Sequence, residues 1–130
     1  MNMSYLLNWK SLRSKEELDQ IIEDSRNKPA LVFKHRVSSP ESNQAKEMLE
    51  NEWNIPSDQL ECYLIDVMQD KDVAYEASEL AGVSNEFPQV LLFADGVTMY
   101  DESHEMINVK KIKLALKIIN RTFRWMETRV

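Results

Sequence analysis

Hydrophobic residues recur along this chain at two spacings, one typical of amphipathic helices and one typical of buried strands. The first helix is predicted after Ser14, which forms a capping box with the glutamate three residues later, ahead of an apolar stripe at helical spacing. Pro29 ends that helix, and the apolar run 30–33 is typical of a strand covered on both faces. A second helix is predicted from Pro40, with Ser39 as its N-cap.

The rest of the chain predicts more of both kinds of element and a hairpin. Asp95-Gly96 is a strong two-residue turn signal between two short apolar runs. The second helix should end before Pro56, followed by a strand at 60–67, a helix at 72–80 closed by Gly82, hairpin strands at 90–93 and 97–100, and a long amphipathic helix from about Asn108 that carries Ile112, Leu116, Ile119, Phe123 and Met126. Parallel strands followed by a hairpin predict an α/β fold with a mixed central sheet, a C-terminal β-hairpin and flanking helices. We expect one domain over 1–130, because no internal repeat or linker interrupts it.

Composition supports a single globular domain with a real core. The chain has 130 residues, of which 43% are hydrophobic, and only two are glycine. A net charge of −6 repels a phosphate backbone, so nucleic-acid binding is disfavoured. Residues 105–130 nevertheless carry seven basic side chains against two acidic ones. This basic C-terminal helix either presents a solvated face or contacts an acidic surface.

Targeting and redox signals are absent from the sequence. No apolar run approaches the roughly 20 residues that span a bilayer, and the N-terminus lacks the pattern of a secretion signal. Cys62 is the only cysteine, so an intramolecular disulfide is excluded. We therefore expect a cytoplasmic protein without a membrane partner. Cys62 lies in the middle of a predicted strand, which is typical of an inert core thiol.

Few residues are spaced as chemistry requires. His35 and His104 lie far apart without metal-ligand spacing, and the two glycines stand alone, so metal and nucleotide sites are disfavoured. No serine lies in a hydrolase motif. The remaining candidates are two segments at the ends of predicted strands, 35–40 and 85–88.

The order of elements resembles the thioredoxin fold, and several stretches are similar to the monothiol bacilliredoxin family of the bacillithiol redox system. These stretches are Val32-Phe33-Lys34-His35, Ser39-Pro40-X-Ser42, Phe87-Pro88-Gln89-Val90-Leu91-Leu92, and Ser103-His104 followed by Ile107. The resemblance covers about residues 8 to 116. It implies removal of a low-molecular-weight thiol, bacillithiol or a similar one, from protein cysteines by thiol–disulfide exchange. It implies no metal and no cofactor beyond that exchanging thiol.

The resemblance also implies the site residues. In the family, the residue before the helix-starting proline is the reactive cysteine, and in this chain that position holds Ser39. The resemblance implies a cis peptide bond before Pro88. That bond would leave the backbone of Phe87 free to pair with a substrate. The implied catalytic positions are Ser39, Pro40 and His35, and the implied substrate-binding positions are Phe87, Pro88 and Lys34.

Two residues depart from the family pattern, Ser39 and Arg36, the second of which replaces a small hydroxyl residue. A serine alcohol forms no stable mixed disulfide, so the chain as written lacks the exchange step. Ser39 is either a laboratory substitution for a native cysteine or the natural residue of a redox-inactive relative.

Two functions therefore stay open. The first is a bacilliredoxin-like oxidoreductase that acts on thiol-modified protein substrates and is silenced at residue 39. The second is a non-catalytic thioredoxin-like module that holds a partner protein at Phe87 and Pro88 by β-augmentation, or through its basic last helix. The oligomeric state is a monomer or a homodimer, the latter through Phe123, Trp125 and Met126 on the last helix.

Overall fold

A computed structural model describes residues 6–128, which form five strands and four α-helices. In chain order they are β1 (Lys10–Ser11), α1 (Lys15–Asp24), β2 (Ala30–His35), α2 (Pro40–Glu52), β3 (Glu61–Asp66), α3 (Lys71–Ala81), β4 (Gln89–Ala94), β5 (Val97–Ser103) and α4 (Val109–Thr128). A short 3-10 helix, His104–Met106, lies between β5 and α4. No helix within this range is long and apolar enough to cross a membrane.

The sheet is mixed, and β2 lies at its centre in the order β1-β3-β2-β4-β5. Strands β1 and β2 run parallel to β3, whereas β4 is antiparallel to β2, and β5 is antiparallel to β4. This arrangement confirms the predicted α/β class with a mixed sheet and a C-terminal hairpin. Because helices cover both faces, β2 and β4 are buried along their whole length.

Alternate side chains of β2 enter two separate cores. Leu31 and Phe33 pack in the cluster that includes buried residues of α2 and α4, whereas Ala30 and Val32 pack in the cluster that includes buried residues of α1 and α3. Successive residues of a strand point to opposite faces. Lys34 and His35, the last two residues of β2, therefore face different helices and have separate roles in the site described below.

Helix ends follow the predicted local rules with one correction. The Ser14 side chain accepts a hydrogen bond from the Glu17 N–H, as an N-cap should. The Glu17 carboxylate, however, accepts from the backbone N–H of Arg13 and not from that of Ser14, so the reciprocal bond is displaced by one residue. At the end of α3, Gly82 adopts a left-handed conformation with φ of 73° and caps the last turn, as predicted.

The predicted hairpin turn is present, and it is attached to α1. Asp95 and Gly96 both have positive φ, 54° and 78°, which a tight two-residue hairpin turn requires. Their N–H groups donate to the carbonyl and the hydroxyl of Ser25, the residue that ends α1. The turn is therefore held by a helix as well as by its strands.

Two short elements were not predicted. Strand β1 has two exposed residues and no alternating pattern, and it forms only because Lys10 and Ser11 pair with Tyr63 and Leu64 of β3. The 3-10 helix at His104–Met106 buries none of its side chains, so no apolar spacing marks it. Both depend on contacts with distant residues.

The predicted terminal helix is present as α4. Ile112, Leu116 and Ile119 are buried against the sheet, in the core that α2 also covers. The side chains of Phe123, Trp125 and Met126, which the sequence placed on this helix and on a candidate dimer surface, lie outside the part that the structure describes.

We expect Gly82→Ala to lower the free energy of unfolding by about 1 kcal/mol, because a β-carbon is strained at positive φ. No described atom lies within 4 Å of the position where that carbon would stand, so the cost is one of backbone conformation alone. Gly82→Asn is the matched control and should cost less, since asparagine tolerates this conformation. Urea denaturation measures both, and an alanine variant as stable as the asparagine variant would contradict this account.

Candidate functional site

Three segments that are distant in sequence meet at the carboxyl end of β2. They are the turn 36–39 that leads into α2, the Phe87-Pro88 loop ahead of β4, and the start of the 3-10 helix. The Arg36 guanidinium lies 5.3 Å from the centroid of the Phe87 ring, a cation–π contact. The His104 N–H donates to the carbonyl of Pro88 over 3.0 Å. The fold thus joins the two segments that the sequence singled out, 35–40 and 85–88.

Ser39 is the N-cap of α2, and Pro40 occupies the first turn. The half-buried Ser39 hydroxyl accepts a hydrogen bond from the Ser42 N–H over 3.2 Å. Its own backbone N–H donates to the carbonyl of Arg36. Within residues 6–128 no histidine or carboxylate hydrogen-bonds this hydroxyl, so nothing there serves as a base for it. Ser39 in this chain is a helix cap.

His35 lies close to residue 39 in sequence, but its hydrogen bond goes to Ser42. Its Nδ1 is 2.6 Å from the Ser42 hydroxyl oxygen, which also accepts from the Arg36 N–H over 3.0 Å. The buried ring stacks on Phe33. Burial, and secondarily the charge of Lys46, lowers the pKa of His35, which favours a neutral imidazole. His35 therefore stabilises the turn 36–39 through Ser42. In the sequence, Ser42 was noted only as part of a family motif.

Lys34 points to the opposite face of the sheet and is fully buried. Its ammonium donates three hydrogen bonds, to Ser78 on α3, Asn85 in the loop ahead of β4, and Gln89 at the start of β4. Burial lowers the pKa of Lys34 to about 8. The sequence placed Lys34 among the substrate-binding residues. Because no part of it reaches the surface, any influence it has on docking passes through the position of the loop.

The Phe87-Pro88 loop carries groups suited to docking. The peptide bond between these residues is cis. Phe87 is half-buried beneath Arg36, and Pro88 is buried. In the described part of the chain no group hydrogen-bonds the backbone N–H or carbonyl of Phe87. An extended partner segment can therefore pair with them.

His104 joins α2 to this loop, a role that its spacing in the sequence did not indicate. Its Nδ1 is 2.9 Å from a Glu41 carboxylate oxygen, and its Nε2 is 2.9 Å from a Glu86 carboxylate oxygen. Both ring nitrogens must donate to satisfy the two carboxylates, which requires the imidazolium form. The hydrogen bonds to Glu86 and Glu41 raise the pKa of His104 accordingly.

Cys62 takes no part in the site. It is buried on β3, in the core that α2 and α4 cover, as the sequence predicted. Burial raises the pKa of its thiol to about 12, so the reactive thiolate is negligible at neutral pH. Among the residues with described side chains, no group of three potential metal ligands occurs.

Solved structures define the class as the thioredoxin fold. The thioredoxin of Trypanosoma brucei brucei superposes with a TM-score of 0.68 at 13% identity, over 93% of this chain and 97% of that chain. The thioredoxin of Malassezia sympodialis gives 0.66 at 15% identity, over 86% and 90%. A thioredoxin-fold protein that has been proposed to be an oxidoreductase gives 0.67 at 27% identity, over 81% and 90%.

The family is more specific than the fold. Residues 10–112 match the family model described as monothiol bacilliredoxin BrxC, and the chain belongs to that family. A search of curated proteins found no match. Membership and fold together indicate a redox-related function with protein substrates, and they confirm the resemblance noted from the sequence.

We expect Lys34→Met to lower the free energy of unfolding by about 3 kcal/mol, because it removes the donor from three oxygens in a buried site. Lys28→Met is the control, since its partly exposed ion pair with Glu61 should contribute less than about 1 kcal/mol. Urea denaturation at pH 7 compares the two. Equal losses in both variants would show that the buried ammonium does not stabilise the fold.

The His104 contacts predict a pH-dependent contribution to stability. A raised pKa means that this contribution is fully present below the unfolded-state pKa of about 6.5 and is lost as pH rises through the higher folded-state value. We therefore expect His104→Asn, which keeps a residue tolerant of the observed φ of 58°, to destabilise the protein most near pH 5.5 to 6.5, by less than about 1 kcal/mol.

Urea denaturation of both proteins across pH 5.5 to 9 tests this dependence, with Glu105→Gln, an exposed neighbour, as the control. A difference between His104→Asn and the unmodified chain that stays constant over this range would be inconsistent with a charged His104.

Proposed function

We propose that the site of this protein is built for thiol–disulfide exchange. In that reaction a low-molecular-weight thiol, bacillithiol or a similar one, is removed from protein cysteines. Residue 39 is then the position of the nucleophile, and this chain keeps the docking parts of the site without the nucleophile itself. The supporting observation is the place of Ser39, at the N-cap of α2, directly before Pro40 and beside the loop that carries Phe87.

A cysteine at position 39 would be activated by its surroundings. Its sulfur would lie at the positive end of the α2 dipole, where the Ser42 N–H now donates to the serine oxygen. Both effects favour a thiolate over a thiol. No described side chain hydrogen-bonds the residue 39 oxygen as a base would, since His35 bonds to Ser42.

The exchange balances when a second molecule of the small thiol serves as the reductant. The thiolate of residue 39 attacks the small thiol's sulfur in the mixed disulfide, a new S–S bond forms to residue 39, and the substrate cysteine leaves as a thiolate. A second small-thiol anion then attacks the small thiol's sulfur on residue 39. The bond to residue 39 breaks, its thiolate is restored, and the two small thiols leave as their symmetrical disulfide. The chain with Ser39 cannot begin this sequence, because an alcohol forms no such bond.

We expect Ser39→Cys to gain the ability to release bacillithiol from a protein cysteine, measured by mass spectrometry of a model substrate. Release should rise from background to sustained turnover, because the variant supplies the missing thiolate. The double variant Ser39→Cys with Cys62→Ser should behave alike, since Cys62 is buried. Ser39→Ala is the matched inactive control. A cysteine variant no better than the alanine variant would refute the proposal.

A non-catalytic docking module is the second candidate. The unbonded backbone groups of Phe87 within the described chain and the commitment of Ser39 to capping favour it. Such a module would bind an extended segment by backbone pairing whether residue 39 is serine or cysteine. It is supported over the first candidate if Ser39→Cys is inactive while the unaltered chain retains a protein partner.

A further inference from the structure

A groove lies beside the turn that leads to residue 39. It has a volume of about 680 Å³. Its lining includes Arg36 and Phe87, which contact each other, together with Met68, Lys71 and Tyr75, from the segment after β3 and the first turns of α3. Sites for small molecules commonly have this size and combine apolar walls with a few polar groups.

The two cations of this groove differ from the other basic residues that precede α4. Nine lysines and arginines occur between residues 6 and 108. Six of them form ion pairs with carboxylates, namely Lys10, Arg13, Lys15, Arg26, Lys28 and Lys46. Lys34 is buried against neutral oxygens. The remaining two, Arg36 and Lys71, pair with no carboxylate in the described chain, and both line the groove.

The guanidinium of Arg36 is fixed in position, but part of its hydrogen-bonding capacity is unoccupied by described residues. Its Nε donates to the Ser38 hydroxyl over 3.2 Å, and its plane lies against the Phe87 ring. The two terminal nitrogens make no hydrogen bond to a described residue. A guanidinium in this state can donate two parallel hydrogen bonds to a carboxylate.

The beginning of α3 adds to the positive potential. The side chain of its N-cap, Asp70, makes no hydrogen bond to the helix backbone, and its carboxylate pairs with Arg13. The first N–H groups of α3 therefore keep their partial positive charge beside Lys71. Asp72 is the one acid of the groove lining, which leaves a formal charge of +1 in a chain whose net charge is −6.

The walls also offer apolar contact. Met68 and Tyr75 are 52% and 56% exposed, so both side chains are open to contact with a ligand. They lie in the same lining as Phe87 and Arg36. The groove therefore suits a compact molecule that has a non-charged body and an anionic end.

We propose that this groove binds the carboxylate-bearing end of the low-molecular-weight thiol, with Arg36 and Lys71 as its anion-binding residues. The inference rests on the proposed function and specifies the class of thiol. Continuity with the nucleophile position supports it, since the Ser39 N–H donates to the Arg36 carbonyl in the same turn. Arg36, a departure from the family pattern, then sets a preference for anionic thiols in this chain.

Binding to the unaltered chain tests the groove without any exchange reaction. Mercaptosuccinate, which carries two carboxylates, and cysteamine, which carries an ammonium, are titrated under reducing conditions while backbone amide NMR signals are followed. We expect mercaptosuccinate to shift the signals of Arg36, Lys71 and Phe87, with at least tenfold higher affinity than cysteamine. The double variant Arg36→Gln with Lys71→Gln should lose this preference, whereas Lys117→Gln, an exposed cation on α4, should keep it.

The outcomes separate this inference from the proposed function. Equal affinity for mercaptosuccinate in the double variant, or shifts confined to another face, would overturn the groove assignment even if Ser39→Cys is active. Anionic binding that depends on Arg36 and Lys71 supports the assignment even if Ser39→Cys is inactive. A peptide with two adjacent glutamates that binds the groove more tightly than mercaptosuccinate would overturn the choice of a small thiol in favour of a protein segment.

Discussion

The site depends on one buried cation. Lys34 lies at the end of the central strand, and its three hydrogen bonds reach a helix, a loop and the neighbouring strand. An ammonium in such a place is costly unless every donor is satisfied, so the oxygens of Ser78, Asn85 and Gln89 must stay where they are. This requirement orders the loop that carries Phe87, and through it the wall on which Arg36 rests.

The opposite face of the same strand orders the other half of the site. His35 hydrogen-bonds to Ser42, and the Ser42 hydroxyl accepts from the backbone N–H of Arg36. These two hydrogen bonds fix the turn before α2. His104 also connects α2 to the Phe87-Pro88 loop, because it contacts the carboxylates of Glu41 and Glu86. Two consecutive residues of β2 thus support the two segments that face each other at residue 39, one from each face of the sheet.

Under the proposed function, Ser39 keeps the architecture of an exchange site without its nucleophile. The hydroxyl accepts a hydrogen bond at the helix N-terminus, a role that serine performs well, and residue 39 lies in the same turn as Arg36, which lines the groove. A thiolate at that position would use the same N–H group for charge stabilisation. The geometry that caps a helix for serine is therefore the geometry that would activate a cysteine, which is why the capped turn and the proposed exchange site coincide.

The sequence alone was enough to predict the main elements from α1 to α4, the central buried strand, the hairpin and the helix start at Pro40, because caps, turn residues and apolar periods are local signals. It also singled out the two segments that the fold brings together at the candidate site. It did not predict that His35 contacts Ser42, that Lys34 is buried in a network of neutral oxygens, that His104 joins two carboxylates, or that β1 exists. Each of these contacts joins residues from separate elements. The residue spacing and secondary-structure propensity of a short segment do not specify its distant contact residues, because only the packing of sheet and helices brings those residues together.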